Sequence, residues 1–364
     1  MINGERVRQA RDIRGLTQTD LAKAVKADQS TIAYIENGRL TPSEDLIQAV
    51  ALGTDFPLSF FDEQGDDDFP LGSLLLFRGR RSVTARQETR AHQHARAVYQ
   101  CAQKLAQRVT RIPLRLPQLT DELPESAASI TRAALGLSPD TPIENLIYTV
   151  EKAGVLVLAL PIVLEGIDAF SLWVGPHSEK PVIVVLDGSP GDRRRFSVAH
   201  EVGHLVMHQA IRGDVQGIEK EAQRFAGALL LPESAMRQEL IPPVTLTSLA
   251  ELKRRWRVAM QALIMRAHEL EIMTDRQRRY LFQQMGTRGW RTREPHSLDV
   301  PIERPRALRQ MAELLYGMPI DYGRLAADVR LPEDLVRGAV EVHAGKDDAH
   351  PKVIPFRRPD PLAS

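Results

Sequence analysis

The chain has 364 residues, too many for one ordinary core, so two or three domains are expected. Its net charge of +1 and its 43% apolar content describe a globular chain and exclude a general polycation, so any nucleic-acid binding has to be local. The only cysteine, Cys101, excludes a disulfide framework or a cysteine metal knuckle and fits a reducing cytoplasm. No apolar leader follows Met1, and the run "GVLVLALPIVL" is too short and Pro-interrupted to span a bilayer.

In chain order, Val7, Ala10 and Ile13 form a first helical stripe that Gly15 ends. Thr17 is placed as the N-cap of the next helix, with Asp20 three residues on, close to a capping box. Leu21, Ala22 and Val25 face inward. After the turn "KADQ", the helix "QSTIAYIENG" buries Ile32 and Ile35 and stops at Gly38. That leaves Gln29, Ser30, Thr31 and Tyr34 on its outer face. Gln and Ser/Thr donate and accept at base edges, and Gln suits adenine. Gln18, opening the preceding helix, is placed for a phosphate.

These residues, "LTQTDLAKAVKADQSTIAYIENGR", resemble the Cro/cI-type (XRE) repressor domain over about Gly4–Phe61. The resemblance implies a five-helix helix-turn-helix domain (1–62) on a double-stranded DNA operator. Residues 1–60 hold seven Lys/Arg against eight Asp/Glu, so phosphate-driven affinity is expected to be modest. A homodimer on a palindrome would compensate.

Residues 63–153 read as a linker, "DEQGDDDFP" at its start, and a helical segment. Ala95, Val98, Ala102, Leu105 and Val109 are spaced for helices over 80–112. "PLRLPQLTDELPES" reads as extended, and 145–153 as helix. The texture then changes. "GVLVLAL", "AFSLWV" and "PVIVVL" are short β-branched or aromatic runs separated by turn residues, which predicts a small sheet. Asp192 is expected to N-cap a helix over 192–209. Helices are predicted over 218–230, over 245–270 with a break whose position the pattern leaves open, and over 274–286. Three arginines, Arg193 to Arg195, crowd the start of the first, where the helix dipole disfavours cations. A helical module covers 292–349, whose pair over 321–340 has the form of a second helix-turn-helix but, lacking a clear polar recognition face, reads rather as a dimerisation or regulatory element. The tail 350–364 is expected to be disordered. The fold class is α+β, mostly helical.

The stretch "SVAHEVGHLVMH" carries the chemistry. His200 and His204, one turn apart, lie on one helix face and can ligate one cation. Glu201 projects about 100° round, suited to a general base on a water rather than to a ligand. Two ligands and a base on one turn make H-E-x-x-H a zinc peptidase pattern. His208 lies about 12 Å along the axis from His200, too far to join the same ion, and is placed behind the ligands. The third ligand is sought in "IEKEAQRFAGALLLP". There the buried stripe Ala222, Phe225, Ala226, Leu229 and Leu230 lies nearer Glu219 than Glu221, by roughly 50° against 110°. Glu219 is therefore favoured. Glu221 reads as a solvated glutamate and remains the fallback. Either "AFSLWV" or "PVIVVL" is an edge along which an extended peptide could pair.

"RFSVAHEVGHLVMH" with "EKEAQRFAGALLLP" resembles the ImmA/IrrE metallopeptidase family, a gluzincin-like zincin, over about Gly154–Pro232. A helical extension to about residue 291 resembles longer members that carry an XRE domain in front. The resemblance implies one Zn2+ per chain on His200, His204 and Glu219, with Glu201 as base. It also implies a protein substrate of the XRE-repressor type. Other fused members imply a non-proteolytic alternative, a sensor or antitoxin-like regulator.

Overall fold

The computed structural model describes residues 2–62, 69, 84–110, 112–175, 177–209, 214–345 and 354–356. Most of the expected linker "DEQGDDDFP" lies outside them, as does the tail apart from three residues.

Five short helices open the chain: α1 (Gly4–Ile13), α2 (Gln18–Val25), α3 (Gln29–Glu36), α4 (Glu44–Thr54) and α5 (Leu58–Phe61). The Thr17–Asp20 capping box closes in both directions. Val7, Ala10, Ile13, Leu21, Ile32 and Ile35 are buried together, as their spacing requires.

α6 (Ala85–Ala106) follows as one continuous helix. Ala91, Ala95, Val98, Cys101, Ala102 and Leu105 are buried along it. Burial pushes the Cys101 thiol up to about 12, which removes it from thiolate chemistry.

The segment expected to run extended to residue 126 instead enters α7 (Pro124–Ala134), with Pro124 in its first turn. Proline is welcome there because its missing N–H has no helical partner anyway. α8 (Leu146–Lys152) precedes the sheet.

The sheet is small and mixed: β1 (Leu156–Leu160), β2 (Ala169–Val174) and β3 (Lys180–Leu186), in the order β1-β3-β2. β1 runs parallel to β3, with Leu158 opposite Val184. β2 is antiparallel to β3, with Ser171 opposite Ile183. "PVIVVL" is thus the central strand, not an edge, while "AFSLWV" is an edge strand, as is β1. Side chains alternate across the sheet. Leu158, Phe170, Leu172, Val182 and Val184 enter a core shared with α6 and the first five helices. Val157, Ala159, Trp173, Ile183 and Val185 enter a second core with the helices that follow.

Those helices are α9 (Gly191–Met207), α10 (Val215–Leu230), α11 (Glu233–Glu239), α12 (Leu246–Trp256), α13 (Met260–Glu269) and α14 (Asp275–Thr287). α9 covers the sheet face opposite α6, and α10 packs on α9 and α7. α11 is a further helix with no counterpart among the expected elements. Asp192 is not the cap of α9. Pro190 holds that position, and the Asp192 carboxylate turns inward to the buried Lys253, which also pairs with Glu294.

α15 (Ala307–Tyr316), α16 (Tyr322–Val329) and α17 (Glu333–Glu341) form the C-terminal module. They pack on α6, and Arg14 of the first domain reaches Asp334 at 2.6 Å. Within the tail, Ile354 is among the described residues. Its side chain is buried, and its N–H donates to Gln310 at 2.8 Å. No helix among the described residues is long and apolar enough to cross a membrane.

Candidate metal centre and DNA-binding face

α9 buries Val198, Ala199, Val202, Leu205 and Val206, which fixes the rotation that turns its histidines toward α10. Gly203 lets α10 approach: a Cβ there would stand 2.9 Å from Phe225 Cδ1. That crossing sets Glu219 beside both histidines. His200 Nε2 and His204 Nε2 are 3.0 Å apart, and each is 3.4 Å from a Glu219 carboxylate oxygen.

Zinc held tetrahedrally with bonds of about 2.0–2.2 Å needs donor atoms roughly 3.3–3.5 Å apart. The two histidine–glutamate distances match that spacing, each through a different Glu219 oxygen, and the two imidazole nitrogens stand closer, at 3.0 Å; two imidazoles with one carboxylate are a donor set that suits zinc. With an ion bound, three protein ligands would leave a fourth position for water or substrate, as in catalytic zinc sites. Burial alone would raise the Glu219 carboxyl. Its hydrogen bonds to the two imidazoles instead hold it far below the usual carboxylate range.

His208 ends α9 and stays out of the cluster, as the helix rise requires. Its Nδ1 lies 3.2 Å from His204 Nδ1, and its Nε2 lies 2.9 Å from a Glu221 oxygen. Glu221 is therefore not a merely solvated glutamate: it anchors His208. If His204 ligates through Nε2, its proton sits on Nδ1. His208 then accepts at Nδ1 and donates from Nε2 to Glu221. Such a carboxylate–imidazole chain behind a ligand fixes ring tautomer and orientation.

Glu201 is 7% exposed, and one of its oxygens accepts from Ser171 Oγ at 2.7 Å. Ser171 stands on edge strand β2, on the face turned to α9. The motif does not reveal this serine, because the contact depends on strand order. His200, Glu201 and Glu219 line a cleft of about 430 Å³, together with Ala169, Phe196, Gln223 and Arg224.

The three crowded arginines are all paired. Arg193 meets Asp168 at 2.6 Å and Arg194 meets Asp187 at 3.2 Å, while Arg195 pairs with Glu303 and donates to the Ile143 carbonyl.

In the first domain, Gln29, Ser30 and Tyr34 are exposed along α3, and Thr31 is half-buried. Gln18 is not a free side chain. Its Nε2 donates to Glu36 at 2.9 Å, and its Oε1 accepts from Gln29 Nε2 at 2.6 Å. Glu36, buried, is also clamped by Arg11 at 2.5 and 3.0 Å. The chain Arg11–Glu36–Gln18–Gln29 thus sets the two glutamines before any ligand arrives. Glu36 carries no sequence signal of its own, since the pattern marks only the apolar positions beside it.

Two regions match known families. Residues 4–58 match the helix-turn-helix domain, and residues 150–268 match the IrrE N-terminal-like domain of a peptidase family. Among curated proteins, none matches the chain. The second match contains every residue of the His200–His204–Glu219 cluster. The chain is therefore a fusion of an N-terminal XRE/Cro-like helix-turn-helix domain with an IrrE/ImmA-like peptidase domain.

Proposed function

We propose that the protein is a DNA-binding transcriptional regulator whose second domain is a zinc metalloendopeptidase, with a repressor-type protein as substrate. The observation that carries this reading is the cluster of His200, His204 and Glu219 at 3.0–3.4 Å, of which His200 and Glu219 open with Glu201 into one cleft. His200, His204 and Glu219 would hold the ion. Zinc, when bound, supplies the Lewis acidity that makes a water nucleophilic near neutral pH and polarises a peptide carbonyl.

The chain's own residues do the rest. The free edge of β2 offers main-chain donors and acceptors to an extended peptide, which sets the scissile bond over the cleft. Glu201 takes a proton from the attacking water as the C–O bond forms. It returns that proton to the leaving amine as the C–N bond breaks. Ser171, donating to one Glu201 oxygen, holds the carboxylate in one orientation. The Glu221–His208 pair holds His204. At the other end of the chain, the outer face of α3 reads the operator in the major groove while Gln18 meets a phosphate.

The test uses purified, zinc-loaded protein incubated with a purified XRE-type repressor. Cleavage by the wild type, abolished in Glu201→Gln with zinc content kept, is expected. Equal cleavage by Glu201→Gln would overturn the general-base assignment. No cleavage of any such repressor by the wild type would favour the non-proteolytic regulator instead.

A further inference from the structure

We infer that the first two turns of α6 form a second contact to the DNA backbone, outside the helix-turn-helix domain, through Arg86 and Arg90. The inference rests on the DNA-binding reading of α2 and α3. Its starting point is a shortage of cations. Of the seven basic residues among the first sixty, four are engaged internally. Arg6 is buried against Gln9 and Gln100. Arg8 and Arg11 both lie against Glu36. Arg14 pairs with Asp55 and Asp334. A duplex presents one phosphate charge per about 1.7 Å of axis, so the domain by itself offers that strand little.

The missing charge stands next door. A cleft of about 480 Å³ opens between the α1–α2 turn and the start of α6. Gln18, Thr19 and Gln29 line one side, and Arg86, Thr89 and Arg90 the other. Arg86 donates one N–H to the Gly15 carbonyl, which fixes the guanidinium and, among the described residues, leaves most of its five donors without a hydrogen-bond partner. Arg90 stacks its guanidinium beside Gly15, with Cζ 3.9 Å from where a Cβ would be. Neither arginine forms an ion pair among the described residues, although the Arg86 charge reaches Asp20 and Asp12 also lines the cleft.

In helix-turn-helix docking the start of the first motif helix meets the backbone, and the start of the second enters the groove. A phosphate strand that meets Gln18 therefore continues into this cleft. Planar guanidiniums suit phosphodiester oxygens. Because α6 is also buried in the body of the molecule, these two arginines would fasten the DNA to the whole chain rather than to its first domain alone.

The experiment is fluorescence anisotropy of the full-length chain on a mixed-sequence duplex of about 30 base pairs, across a salt series. Each phosphate contact contributes roughly 0.9 to the slope of log K against log salt. The double variant Arg86→Ala/Arg90→Ala is expected to lose about two units of slope, and about tenfold or more in affinity near 0.15 M salt. Arg86→Lys/Arg90→Lys, which keeps the charge, should hold the wild-type slope. A wild-type slope in the double alanine variant overturns the inference while leaving the domain's DNA binding intact. A wild-type chain that fails to bind any duplex at low salt overturns the DNA-binding reading, and the inference with it.

Discussion

His204 is the residue on which the candidate metal centre turns, because both of its ring nitrogens are committed. Nε2 faces Glu219 and Nδ1 faces His208. Burial alone would hold its pKa down, and the hydrogen bond to Glu219 with the charges of Glu201 and Glu219 outweighs that and raises it. Glu221→Ala should leave His208 without an acceptor and loosen His204, weakening zinc binding about 10–100-fold, the usual cost of losing such a support. Competition with a chromophoric chelator measures this, and an unchanged affinity would show that the Glu221–His208 pair does nothing for the ligand. At this scale much was legible. The i, i+4 histidines follow from the motif, and Glu219 follows from the face it shares with Ala222 and Phe225. Glu221 was not legible as a support, because its partner His208 reaches it only where α9 ends and α10 crosses. Ser171 was hidden for the same kind of reason: no spacing in the sequence links a strand residue to a base thirty positions later.

Between elements, the crossing of α9 and α10 decides whether the three donors meet. Gly203 is the point of closest approach. Alanine is the better helix former by about 1 kcal/mol. A Cβ there, however, would stand 2.9 Å from Phe225 Cδ1, and overpacking of that kind costs roughly 1–3 kcal/mol. The clash is expected to win. Gly203→Ala should lower the melting temperature of the zinc-free chain and also weaken zinc binding by moving Glu219. A raised melting temperature would show slack in the contact. Elements with strong apolar periodicity were legible, including α9, α10 and the three strands. α7 was not, because its buried side is small and mixed, with Ala127, Ala128 and Thr131, and because Pro124 looks like a breaker when it is a starter. α11 is only seven residues long. The break after α12 falls at Arg257, a left-handed residue that is not glycine, so the usual stop signal is missing. Asp192 had the chemistry of a cap, but a buried lysine claimed it.

Over the whole molecule, the sheet is shared between two cores, with α9 and the metal cluster on one side and α6 on the other. His343 fastens the C-terminal module to this arrangement. Fully buried, it donates from Nδ1 to the Ala339 carbonyl at 2.7 Å and accepts at Nε2 from the Ala159 N–H at 3.2 Å. Burial, with the Arg309 charge adding to it, pushes this imidazole down to about 4. Between that value and the ordinary 6.5, the unfolded chain takes a proton that the folded chain refuses. The contribution of His343 is therefore complete above 6.5 and is lost as the pH falls toward 4. In urea unfolding, the cost of His343→Gln should shrink by about 2 kcal/mol between about pH 7.5 and pH 5. A cost that does not change with pH would mean that the ring is charged in the folded state. The most direct test of the candidate metal centre, on which the proposed peptidase activity depends, is the zinc content of the purified, dialysed chain by mass spectrometry. About one zinc per wild-type chain, none in Glu219→Ala, and zinc that Glu221→Ala still binds in excess metal are expected. A wild-type chain that binds no zinc, or a Glu219→Ala chain that keeps it in full, would contradict the assignment.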